Sequence, residues 1–120
     1  MERKKLILAV RFFRTANGNE PARDFLKLLP KADRTAIGID LKEVQYGWPL
    51  GMPLVRKMDA ELWEVRSILR DAIARTLFTV SSNQMVVLHV FIKKSQQTPK
   101  NELALAINRL RTLKRHDHEE

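Results

Sequence analysis

The chain contains no cysteine, which excludes a disulfide framework, a thiolate nucleophile and any cysteine-held zinc or iron–sulfur centre. Its four glycines, at positions 18, 38, 47 and 51, fit neither a P-loop nor a dinucleotide fingerprint. Long apolar runs are missing too. The longest, Met85 to Ile92, falls far short of the roughly 20 residues needed to cross a bilayer. The N-terminus, MERKKLILAVRFF, is interrupted by Arg11 and Arg14 and lacks a small-residue cleavage site, so it reads as a first strand rather than a signal peptide. The expectation is a soluble protein of a reducing cytoplasm, away from membranes.

Acidic residues are also in short supply, with 14 Asp and Glu against 22 Lys and Arg and a formal net charge of +8. Such a balance suits a polyanionic partner, most often nucleic acid, because clustered cations gain affinity by releasing counterions. A plain basic surface would have the same composition, so the placement of the cations has to decide. At 120 residues the chain is expected to form one domain, spanning 1–120, with a single core.

Periodicity predicts the order β-α-α-β-β-β-α. Residues 6 to 13, LILAVRFF, form a strand, and TANGN a turn. A short helix begins near Glu20 with Pro21 in its first turn and stops at Pro30. A second helix covers Lys31 to Tyr46, where Ile37, Leu41 and Val44 share a face, and Pro49 forbids its continuation. Gly38, inside that helix, either weakens it or marks close packing. Three strands follow the loop WPLGMP: Leu62 to Ser67, Ala72 to Val80 and Met85 to Lys93, with connectors short enough for antiparallel hairpins. Thr98 is the expected N-cap of a last helix with Pro99 in its first turn. Leu103, Ile107, Leu110 and Leu113 form its buried stripe, and Arg109, Arg111, Lys114 and Arg115 lie outside it. Residues 116–120 are expected to fray as a tail.

Metal sites look poor. His116 and His118 fall in the tail, His89 suits a satisfied interior histidine, and the acidic residues Asp59, Glu61, Glu64 and Asp71 have no informative spacing. The strands of the C-terminal half carry cations instead. Arg56 and Lys57 end the loop before the sheet, Arg66 and Arg75 lie on neighbouring strands, and Lys93 and Lys94 close the third. In adjacent antiparallel strands Arg66, Arg75 and one of the two lysines could meet in one patch. Taken singly, each has a structural explanation: Arg75 could snorkel from a sheet edge, Glu64 and Arg66 could form a surface ion pair, and the lysines could act as gatekeepers against aggregation.

As a set, these cations suit phosphodiester cleavage in RNA. There the substrate's own 2′-hydroxyl is the nucleophile, and the protein has only to orient the backbone, assist proton transfer and stabilise charge. No metal and no cofactor is required.

The stretch from MPLVRKMDAELWEVRS through ARTLFTV to VVLHVFIKKSQQTPKNELALAINRL resembles the phage-derived branch of the RelE/HigB superfamily of toxins. The resemblance implies a compact α+β domain of RelE-like fold, with an antiparallel sheet, an N-terminal helical hairpin and a C-terminal helix. It further implies a type II toxin acting as a ribosome-dependent endoribonuclease, an mRNA interferase, silenced by a cognate helix-turn-helix antitoxin. Its partners would then be mRNA, the ribosome and that antitoxin. Carried over by residue, it implies catalytic roles for Arg66, Arg75, Lys93 and Lys94, with Arg75 on the scissile phosphate and removable without loss of fold. Arg56, Lys57 and Lys100 are the expected RNA-binding residues. No Tyr follows Tyr46 to stack or move a proton, so Lys93, Lys94 and Lys100 all stand as candidates for that work. The rival expectation is a non-catalytic basic module, an inactive phage remnant that binds only nucleic acid or a partner. A C-terminal helix reading duplex DNA fits less well, for want of Asn, Gln or Ser clusters at its cationic face.

Overall fold

In the computed structural model, which describes residues 5–94 and 96–119, strands and helices follow as β1 (Ala9–Phe12), α1 (Pro21–Lys27), α2 (Lys31–Gly47), β2 (Val55–Asp59), β3 (Leu62–Ile68), β4 (Ile73–Ser81), β5 (Gln84–Lys93) and α3 (Lys100–Glu119). The strands form one sheet in the order β1-β5-β4-β3-β2. The mixed α+β class and the helical hairpin are as expected, with two additions. Val55–Asp59 is a fifth strand, an edge strand whose Arg56 and Lys57 are exposed. The sheet is also not wholly antiparallel, because β1 pairs parallel with β5. β5 is apolar on both faces, so its outer side would be an open template for aggregation, and four residues of β1 cover it.

β4 is the central strand, with Ala74 to Thr79 all buried. One face of the sheet receives α2, whose Ile37, Leu41 and Val44 pack on Val55, Val65, Ala74, Phe78 and Met85. The opposite face receives α3, whose Ala106, Leu110 and Leu113 pack on Leu62, Leu77, Val86, Leu88 and Phe91. α1 adds Ala22 against Val87 and Val90 at the β5 end.

Two local irregularities position the candidate site. Ser82 and Asn83, both at positive φ (50° and 61°), form the two-residue turn that joins β4 to β5. Further along that hairpin, Leu77 pairs with His89 and Phe78 with Val87, so Leu88 is an extra residue in β5. Such a bulge sends consecutive side chains to one face and reverses the alternation beyond it.

α3 remains helical through Glu119, where a tail from 116 was expected; Glu120 lies outside the described residues. Each further turn of an established helix costs little to add. Its first intrahelical bond runs from Leu103 N–H to the Pro99 carbonyl, so the helix begins one residue later than a Thr98 cap implies. The Thr98 hydroxyl donates to Glu64 instead.

Candidate nucleic-acid interface

Side chains of a strand alternate between faces, and register partners share a face. On the α3 face, Arg56 of β2 lies opposite Glu64 of β3, which lies opposite Leu77 and then His89. The next row holds Arg66, Arg75 and Phe91, and the row beyond it Ile68, Ile73 and Lys93. Arg66, Arg75 and Lys93 therefore leave the same face. Lys94 follows in the bend after β5, and Lys100 is the first residue of α3.

Arg75 does not fill the role implied for it. Both it and Glu64 are fully buried, at 0% exposure. Arg75 Nη1 donates to Glu64 Oε1 at 2.8 Å, and its Nη2 donates to the Gln96 carbonyl at 2.6 Å. The second oxygen of Glu64 accepts from the Thr98 hydroxyl. Gln96 and Thr98, between β5 and α3, thus lie against the pair, and Arg75 cannot touch a phosphate in this arrangement. Two arginines directly opposite on neighbouring strands repel, and Glu64 on the same face neutralises one of them. Snorkelling from an edge is equally ruled out, since β4 is central.

The remaining cations are accessible. Arg56, Lys93, Lys94 and Lys100 are exposed and Arg66 is half-buried. Its Nε is buried without a partner among the described residues. Arg66 also lines a cavity of about 500 Å³, with Asp40, Ile39 and Ile68. Lys57 does not join this group. As the register partner of Trp63 it leaves the α2 face, where its ammonium lies 5.8 Å from the Trp63 ring centre. There it takes part in a cation–π contact on the Trp48–Trp63–Phe78 cluster.

A second polar cluster lies further along α3. His89 Nε2 and Glu102 Oε1 are 3.1 Å apart, and His89 stacks on Phe91 at 5.7 Å between ring centres. Arg109 Nη1 donates to the carbonyl of the bulged Leu88 at 2.8 Å, and its guanidinium lies 5.8 Å from the Phe13 ring centre. Burial pushes His89 below the usual histidine value, only partly opposed by the Glu102 hydrogen bond and charge, with Arg109 lowering it further. His89 is thus the satisfied interior histidine its strand suggested. Arg109, expected on the open side of α3, is half-buried beneath it.

Sequence reasoning missed Glu64 and Thr98 as partners of Arg75. The ion-pair partner that the sequence suggests for Glu64 is Arg66, two residues away on the same strand. The available signal was a lone carboxylate amid the largely apolar run from Leu62 to Val65.

Residues 24–111 match the phage-derived Gp49-like family (DUF891), well over half of the chain. The chain belongs to the Gp49-like family. The match takes in each of the seven cations considered above and omits β1. No curated protein matches the chain. Among the described residues, no helix of this family member is long and apolar enough to cross a membrane.

Proposed function

We propose that this Gp49-like protein is the toxin of a type II toxin–antitoxin pair, a RelE/HigB-type endoribonuclease that cleaves mRNA on the ribosome. The observation that carries this reading is the set of accessible cations, Arg56, Arg66, Lys93, Lys94 and Lys100, each within one register row or two residues of the buried Arg75–Glu64–Thr98 cluster or next to one that is. The family, one associated with toxin–antitoxin systems, supports it. In this reading Arg66 provides a planar fork for two phosphate oxygens. Lys93, Lys94 and Lys100 add positive charge for the transition state. The 2′-hydroxyl of the RNA attacks the adjacent phosphorus, and the 5′-oxygen of the next nucleotide leaves. One of the three lysines moves the proton. A helix-turn-helix antitoxin would silence the protein by covering these cations.

Translating ribosomes mixed with the purified protein are expected to yield truncated message, and Arg66→Ala to lower the cleavage rate at least tenfold with the fold unchanged. Intact message with wild-type protein would end this proposal.

The burial of Arg75 favours a second reading, a basic module that holds RNA without cutting it, because the guanidinium implied at the scissile phosphate is sealed. Salt-sensitive retention of RNA with no truncated message is the result expected in that case.

A further inference from the structure

We propose that Arg75, Glu64 and Thr98 form a latch that holds the β5–α3 connection on the sheet and so sets where Lys94 and Lys100 stand beside Lys93. Arg75 is a positioning residue, one that acts on RNA only through these lysines. This consequence for RNA rests on the reading given under Proposed function.

A buried ion pair is a poor device for stability, since apolar residues of similar volume are often as stable or more so. Two further hydrogen bonds of this pair are directed at one segment. Arg75 Nη2 reaches the carbonyl of Gln96, and the free oxygen of Glu64 takes the hydroxyl of Thr98. Both oxygens of the carboxylate are thereby engaged, one by the sheet and one by the connection.

The functional cations flank the two anchor points. Lys94 stands two residues before Gln96, and Lys100 two residues after Thr98. The three lysines carry like charge, and a freed connection would let Lys94 and Lys100 move away from Lys93. Fixing their backbone beforehand removes the cost of gathering them from the binding step, which is what preorganisation achieves at anion sites. Thr98 in turn is unavailable as an N-cap, and α3 starts from the Pro99 carbonyl.

Thr98→Val removes the hydroxyl and keeps the shape, while Thr98→Ser restores it. Trypsin cleavage after Lys94 is expected to rise about tenfold in the Val protein, the equilibrium value of one hydrogen bond to a charged group, and to stay at the wild-type rate in the Ser protein. Affinity for a single-stranded oligoribonucleotide should fall by a similar factor in the Val protein, with a shallower dependence on salt as phosphate contacts are lost. A merely structural residue would not alter the salt slope while leaving the melting temperature within a few degrees. If the Val protein fails to fold, Thr98→Ala takes its place.

Unchanged protection of Lys94 in the Val protein overturns the latch, and a released connection with undiminished RNA affinity overturns its role in placing the lysines. If the wild-type protein binds no RNA, the functional reading fails by itself. The protease contrast between Val and Ser then still upholds or overturns the latch.

Discussion

Arg75 Nη1 lies 2.8 Å from Glu64 Oε1 across two central strands, and neither side chain is exposed to solvent. The pair is foundation rather than working surface. Removing one partner leaves an uncompensated buried charge, so Arg75→Ala is expected to destabilise the protein by about 3–5 kcal/mol. Urea denaturation measures this directly. The paired replacement Glu64→Leu with Arg75→Met should recover most of that stability yet leave RNA affinity low, since the hydrogen bonds to the Gln96 carbonyl and the Thr98 hydroxyl are then lost. Wild-type urea stability in Arg75→Ala would contradict the buried geometry.

The accessible lysines predict the opposite pattern. Lys93→Ala and Lys94→Ala should leave the unfolding free energy within about 0.5 kcal/mol of wild type, as exposed substitutions generally do. Each should reduce the slope of log affinity against log salt by roughly 1 if it contacts a phosphate. Filter retention of an oligoribonucleotide between low and moderate salt tests both.

His89 makes stability depend on pH near neutrality. Its folded value is lowered, chiefly by burial, so between that value and the unfolded 6.5 the unfolded chain binds the proton more readily. The contribution of neutral His89 is therefore intact above 6.5. It is lost progressively as pH falls through 6.5 toward the folded value. Thermal melts from pH 7.5 to 5.5 should show a decline that His89→Gln flattens. An equal decline in the Gln variant would place its origin elsewhere.

Gly38 lies exposed in the middle of α2, and a Cβ built there meets nothing within 4 Å. Close helix packing does not explain this glycine. Gly38→Ala should raise stability by about 0.5–1 kcal/mol through helix propensity and a less flexible unfolded chain. A shift of the urea midpoint with unchanged slope checks it.

Thr76 is fully buried on central β4, on the face packed by α2, and its hydroxyl has no partner among the described residues. Replacing an unsatisfied buried hydroxyl by a methyl of the same shape removes a desolvation cost of about 1–3 kcal/mol. Thr76→Val should melt at a higher temperature than wild type.

Much of the architecture was legible from one-dimensional pattern. The 3.6-residue spacing of Ile37, Leu41 and Val44, and of Leu103 to Leu113, marks the buried stripes of α2 and α3, because tertiary packing there reinforces local propensity. Alternation along Leu62 to Arg66 assigns Trp63 and Val65 to one face and Glu64 to the other, as observed. β2 was not legible. VRKMD has two exposed cations among five residues, and it becomes a strand only because β3 offers an edge to pair with. β1 likewise takes its parallel partner from a strand more than seventy residues away.

The amino-acid order thus sets the element types, the two apolar stripes and the basic character of the C-terminal strands, because these follow from local spacing and charge. It does not set which cations share a surface. Strict alternation along β5 from Val86 would turn Lys93 away from Arg66 and Arg75, and the bulge at Leu88 brings it back to their side. Nor does it decide which arginine is buried: Arg66 and Arg75 are register partners, and the loop laid across Glu64 encloses only Arg75. Both outcomes depend on contacts between residues distant in the chain, where the low dielectric of the interior makes an unpaired charge costly and so selects one pairing.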